Sequence, residues 1–236
     1  MDPADATLAR AFGYPYDRPA GSFVFDGLTG ALGPLPRRDV AAGRIPVLAI
    51  GSNAAPEQLA RKFGPGDDAA TIPVTTARLR DHDVVFAARL TAYGACPATF
   101  VRCDAVAAHV HVTWLTPAQL ERMDASEGVH APEPAYRRVE VAASAVELGP
   151  VPGLDEPPAA VWAYESTAGP LRLAATPVAL AAIPAERRVW PARSVRAVLA
   201  ELAAIWGAPD AEAVARTAVG DSVTRDEWNR RLAGGV

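Results

Sequence analysis

The stretch 106–128, VAAHVHVTWLTPAQLERMDASEG, changes its period in the middle. Up to Leu115 it alternates, with Val110, Val112 and Trp114 on one side and His109, His111 and Thr113 on the other, the two-residue repeat of a strand. Beyond it the signals are those of a helix. Thr116 stands as an N-cap, Pro117 takes the first helical position, and Gln119 completes a capping box. Leu115 and Leu120 flank the cap as a hydrophobic staple, and Gly128 is placed to end the helix. A strand running straight into a capped helix predicts a sheet with that helix laid on it. Glu127 falls in the last turn and shares a face with Leu120 and Met123 at spacings of three and four. The sequence thus carries a carboxylate inward at the carbonyl end of a helix, where the dipole disfavours an anion. A salt bridge, an exposed helix end and a proton-transfer group all fit that position.

Outward from this pair, 45–50 is a short apolar run that ends in Gly51-Ser52-Asn53 and leads into a helical segment, 56–63, with Leu59 and Phe63 four apart. Glycine in such a turn lets the backbone approach a ligand closely, and successive N–H groups there hold a carboxylate or a developing oxyanion. A structural turn with an Asx cap accounts for the same residues. No GxGxxG follows, and the turn is not a P-loop. Segments 71–79 and 83–90 read as two strands, 136–146 as another, and 159–164 and 177–183 as extended pieces. Two later helices are expected, at 194–206 with an apolar stripe through Leu199 and Leu202, and at 224–232 with a capping box of Thr224 and Glu227. Residues 1–40 read as an irregular arm whose aromatics pack on the core, with one short strand at 22–25.

The expected fold class is therefore α+β, with a small mixed or barrel-like sheet and extra C-terminal helices. The expected organisation is an arm at 1–40, a core domain at 41–190 and a helical extension at 191–236. That extension either covers one mouth of the barrel or makes a homodimer interface, with Trp190, Trp206 and Trp228 as packing anchors. The chain has 236 residues, half of them hydrophobic, which suffices for a sizeable core. A formal net charge of -4 disfavours general nucleic-acid binding. There is no long uncharged apolar run to span a membrane and no signal-peptide pattern in the first ten residues, so a cytoplasmic location is expected. Lys62 is the only lysine among 23 basic residues, which reads as codon bias.

Four short motifs in order give these signals a common reading. They are Ile50-Gly51-Ser52-Asn53; the strand 83–90 followed by Gly94-Ala95-Cys96-Pro97-Ala98-Thr99; Met123-Asp124-Ala125-Ser126-Glu127-Gly128; and Tyr136-Arg137-Arg138-Val139, with a late strand carrying Tyr164. Over roughly 45–185 the chain resembles the gamma-glutamylcyclotransferase-like family, in which the loop is of Tyr-Gly-Ser-Asn type and a Leu-Asp-x-x-Glu-Gly pattern holds the catalytic glutamate. The resemblance implies a barrel-like α+β fold and an enzyme that cyclises a γ-glutamyl amide to 5-oxoproline with release of an amine. It implies Glu127 as the catalytic acid/base and a substrate pocket built from Ile50, Gly51, Ser52 and Asn53, with Tyr93 and Tyr164 as further lining. No metal and no organic cofactor is implied, and the partner is a small-molecule amide. Ile50 stands where the family has tyrosine, and Met123 where it has leucine. An amide hydrolase or acyltransferase on a different small amide, and an inactive small-molecule binding module, are the alternatives.

Weaker constellations complete the reading. His109 and His111 with Cys103 make a three-donor metal set that lacks a fourth ligand. Cys96 lies near the pocket motifs without a partnered base and reads as a small buried hydrophobe. Arg137 and Arg138 are read as a solvated strand edge or as an aid to anion binding.

Overall fold

The computed structural model describes residues 3–64 and 71–235, so the first two residues of the arm and the last of the C-terminal extension lie outside the described residues. Helix α1 (Pro3–Phe12) opens the chain, and short strands β1 (Phe23–Phe25) and β2 (Leu32–Gly33) follow. Next come β3 (Ile45–Ala49), helix α2 (Pro56–Phe63), the long strands β4 (Ile72–Phe86) and β5 (Ala98–Leu115), and helix α3 (Pro117–Glu127). Strands β6 (Tyr136–Val141), β7 (Val146–Leu148) and β8 (Val161–Ser166) precede several two-residue strands. Helices α4 (Val195–Trp206), α5 (Ala211–Gly220) and α6 (Ser222–Gly234) end the chain.

The β4–β5 hairpin is the spine of a mixed sheet. On one side β5 pairs antiparallel with β3, which pairs parallel with β8, which pairs antiparallel with β6. On the other side β4 meets Ala179–Leu180, and that strand meets Ala192–Arg193. Among the described residues no pairing joins the two ends of this path, so the sheet is open and not the barrel the sequence suggested. The two strands expected at 71–79 and 83–90 are one. Its polar middle, Arg80 to His82, is a bulge in which Asp81 takes a positive φ and its carboxylate accepts from the Ala105 amide at 2.9 Å. Both faces of β5 are buried at its end: residues 110–115 are all buried, His111 and Thr113 included, because both faces of the sheet are covered.

Two apolar clusters do the covering. The smaller one holds α2 and α3 through Leu59, Phe63, Leu120 and Met123, against Val47, Ala49 and the arm's Phe23 and Phe25. The larger one holds Leu8 of α1, Leu199 and Leu202 of α4, and Val214 of α5 against Leu48, Val110 and Trp114. Leu199 and Leu202 are fully buried, each contributing about 1.5–3 kcal/mol. The arm is not irregular throughout, since α1 is a helix with Ala11 buried. A further helix, α5, was not foreseen; Asp210 caps it by accepting from the Ala213 amide at 2.8 Å. Helix α6 starts earlier than expected. Its N-cap is Asp221, which accepts from the Thr224 amide at 3.0 Å, so Thr224 lies inside the helix and forms no capping box there. Trp206 and Trp228 stack with ring centroids 4.5 Å apart, tying α4 to α6.

Candidate active site

Strand β3 ends at the turn that begins with Gly51, and α2 then doubles back beside α3. At the C-terminal end of α3 the chain is stopped by Gly128 in the left-handed region, φ 71°. The capping box at the other end is formed: Thr116 accepts from the Gln119 amide at 3.3 Å, and Gln119 accepts from the Thr116 amide at 2.9 Å. Fixed at both ends, α3 delivers Glu127 to the turn. Asn53 Nδ2 donates to Glu127 Oε1 at 2.9 Å.

The same oxygen receives the ammonium of Lys62, two turns into α2, in a short ion pair. Lys62 also donates to Asn53 Oδ1 at 2.8 Å and to Met123 Sδ at 3.3 Å, so its three donors have three acceptors. The side chains of Lys62 and Glu127 are only 7% and 13% exposed, so the pair is poorly screened. Lys62 sets a positive charge at the carbonyl end of α3, where the helix dipole is negative. Oε1 is thus held from two sides, while Oε2 accepts no hydrogen bond from the described residues. The sequence reading missed Lys62. Its signal was there, a single lysine in a chain that otherwise uses arginine.

A cavity of about 250 Å³ opens beside this pair. Its wall includes all seven residues singled out from the sequence: Ile50, Gly51, Ser52, Asn53, Tyr93, Glu127 and Tyr164. Ile50 adds an apolar patch, its side chain buried in the larger cluster with only a small part exposed. The arm contributes Tyr14, a second residue the sequence did not mark. Tyr14 Oη accepts from the Ala98 amide at 2.8 Å, and the Ala98 carbonyl accepts from Tyr136 Oη at 3.1 Å, so one backbone residue anchors two phenols of the wall. Glycine at 51 is required by this phenol: a Cβ there would lie 2.4 Å from Tyr14 Oη and 3.2 Å from Ala98 Cβ. The N-terminal arm thus brings a phenol hydroxyl beside the Gly51 turn.

Burial keeps these phenols neutral. It is the main cause raising Tyr14 and Tyr136 well above the ordinary range, and it raises Tyr93 too. Burial raises Tyr164 as well, helped by the carboxylate of Asp124, to which Tyr164 Oη donates at 2.6 Å. Asp124 also pairs with Arg138 and does not line the cavity, so its visible part is to hold Tyr164 in place. The far wall is held by α6: Leu90 donates its amide to Asn229 Oδ1 at 2.6 Å and accepts from Asn229 Nδ2 at 3.2 Å, which fixes the start of the loop that carries Tyr93. The C-terminal helices thus support the wall of the cavity.

The other candidates fall away from it. Arg137 pairs with Glu165, and Arg138 with Asp124 over the Trp162 ring; neither reaches the cavity. His109 meets Glu186 at 3.1 Å, while His111 is buried, and among the described residues no three His, Cys, Asp or Glu converge as a metal set. Cys96 donates to the Ala87 carbonyl at 3.1 Å, and burial pushes its thiol up to about 12, which leaves it a poor nucleophile. Among the described residues no helix is long and apolar enough to cross a membrane.

No protein-family model matches the chain, and no curated protein does. Two solved structures show a weak, partial likeness. One is the solution structure of an Arabidopsis thaliana protein, at 21% identity over 54% of this chain and 71% of that one, with a TM-score of 0.36. The other is a gamma-glutamyl cyclotransferase, at 18% identity over 52% of this chain and 67% of that one, with a TM-score of 0.38.

Proposed function

We propose that the chain is an amide-cleaving enzyme that cyclises a γ-glutamyl amide, with Glu127 as its acid/base. The observation that carries this reading is a carboxylate with one oxygen clamped by Asn53 and Lys62 and the other without a partner among the described residues, on the wall of an open cavity beside the Gly51 turn. In the reaction the substrate's α-amine attacks its own γ-carbonyl carbon. A new C–N bond closes the five-membered ring, and the original amide C–N bond breaks. Glu127 takes the proton from the attacking amine and returns one to the departing amine. The nucleophile is tethered to the carbonyl it attacks, so the protein supplies no nucleophile of its own; it aligns the chain and receives the developing oxyanion. Backbone N–H groups of the Gly51-Ser52-Asn53 turn are the donors proposed for that oxyanion. Lys62 and Asn53 hold one Glu127 oxygen in place.

The test is a panel of γ-glutamyl amides and other ω-amides, assayed for amine release with mass detection of 5-oxoproline. Release of amine with stoichiometric 5-oxoproline supports cyclisation. Amine released with free glutamate identifies a hydrolase, and turnover confined to another acyl group identifies a pocket reshaped around Ile50.

A further inference from the structure

Arg89 leaves strand β4 just beyond Phe86 and lines the same cavity. Its Nε is buried and has no hydrogen-bond partner, and among the described residues its guanidinium makes no ion pair. Arg89 is partly exposed, but a buried Nε–H without an acceptor is costly unless something else completes it. The cavity's own groups do not complete it. Glu127 is the one carboxylate on the wall among the described residues, and Lys62 pairs with it. The groups close enough to feel Arg89, the Tyr136 phenol and the Cys96 thiol, are both held neutral by burial. Among the described residues that line it, the cavity therefore carries one positive charge without a carboxylate partner. Tyr136, Arg89 and Glu127 line the same cavity.

We propose that Arg89 is a substrate-binding residue that takes a carboxylate, so that the pocket selects amides whose acyl part carries a second, anionic end. A guanidinium grips a carboxylate through two parallel hydrogen bonds, which fixes direction as well as charge. One spare positive charge matches a monoanion better than a phosphate dianion. This inference rests on the cyclotransfer reading for the identity of the acyl group: in a γ-glutamyl amide the α-carboxylate is that second end. Gripping it at Arg89 turns the adjacent α-amine toward Glu127.

Calorimetry separates the inference from the reading beneath it. The probes are 5-oxoproline and its neutral carboxamide, which share a ring and differ in the carboxylate. Wild-type protein should bind the acid at least tenfold more tightly than the carboxamide, in line with a charge-assisted bidentate contact. Arg89→Gln should abolish that preference and Arg89→Lys should keep part of it, with thermal midpoints near wild type because Nε supports nothing in the fold. Glu127→Gln should retain the preference. Wild-type protein that binds neither probe, or both alike, overturns the assignment, as does an Arg89→Gln protein with the preference intact. Inorganic phosphate binding through Arg89 more tightly than 5-oxoproline overturns it too. An Arg89-dependent preference in a protein that turns over no γ-glutamyl amide leaves the carboxylate site standing and removes the cyclotransfer reading. Turnover indifferent to Arg89 does the reverse.

Discussion

Lys62→Met keeps the length of the side chain and its packing in α2 while removing the charge that faces Glu127. Three contacts go at once: to Glu127 Oε1, to Asn53 Oδ1 and to Met123 Sδ. The chief cost is the carboxylate left behind, 13% exposed and without a counter-charge. Breaking a buried pair from one side typically costs about 3–5 kcal/mol. Here the Asn53 amide still donates to the carboxylate and some water reaches it, so about 2–3 kcal/mol is the expected loss. The double variant Lys62→Met/Glu127→Gln has no orphaned charge and should recover part of that loss, with a coupling of about 1–3 kcal/mol. Urea unfolding of wild type, both single variants and the double variant reads this directly, as midpoints at constant slope. A Lys62→Met loss below about 0.5 kcal/mol, or strictly additive single variants, would refute the reasoning that the pair is buried and mutually dependent.

Three further expectations concern the surroundings. Burial first, and the Arg18 charge second, hold the His111 imidazole down to about 4; the Pro19 and Gly21 carbonyls oppose this in part. Between pH 4 and roughly 6.5 the unfolded chain binds a proton that the fold refuses, so stability is full above that window and falls as pH drops through it, by up to about 3 kcal/mol; His111→Gln should flatten the decline, and an unchanged slope would contradict this. Gly51→Ala drives a Cβ into Tyr14 Oη and should cost about 1–3 kcal/mol, less in a Tyr14→Phe background where that oxygen is gone; equal costs in both backgrounds would show that the clash is relieved elsewhere. Asp124→Asn loses the charged partner of Tyr164 and Arg138 and should cost about 1.5–3 kcal/mol of stability while lowering turnover far less than Glu127→Gln; a turnover loss of equal size would make Asp124 part of the chemistry.

What the sequence disclosed follows the range of the forces involved. The end of β5 and the start of α3 were legible because caps, Pro117 and alternation act within a few residues, and Glu127 was legible because its helical phase put it beside Met123. Helix α5 was not, because AEAVARTAVG is alanine-rich and its buried face is three alanines and one valine; its cap at Asp210 was the available signal. The bulge at Asp81 hid the continuity of β4, since four polar residues in a row, Arg80 to Asp83, look like a turn when the partner strand is unseen. Closure of the sheet depends on pairings between remote strands, so the order of elements and the family resemblance suggested a barrel that the structure does not form. In the cavity the seven residues chosen from the sequence lie together, but the groups that set its electrostatics were passed over. Lys62 meets Glu127 across 65 residues and Tyr14 meets Ala98 across 84, and no local pattern foretells either contact.

The central claim is that Glu127 moves the proton. The direct measurement is turnover of a γ-glutamyl amide by purified Glu127→Gln protein, with 5-oxoproline quantified by mass and folding checked by circular dichroism. Glutamine keeps the length of the side chain and an oxygen for Asn53 and Lys62 but cannot accept the proton. The account predicts a folded protein whose rate is lower by roughly 10²–10⁴-fold, with binding of 5-oxoproline changed much less. A folded Glu127→Gln protein with near-normal turnover would contradict it.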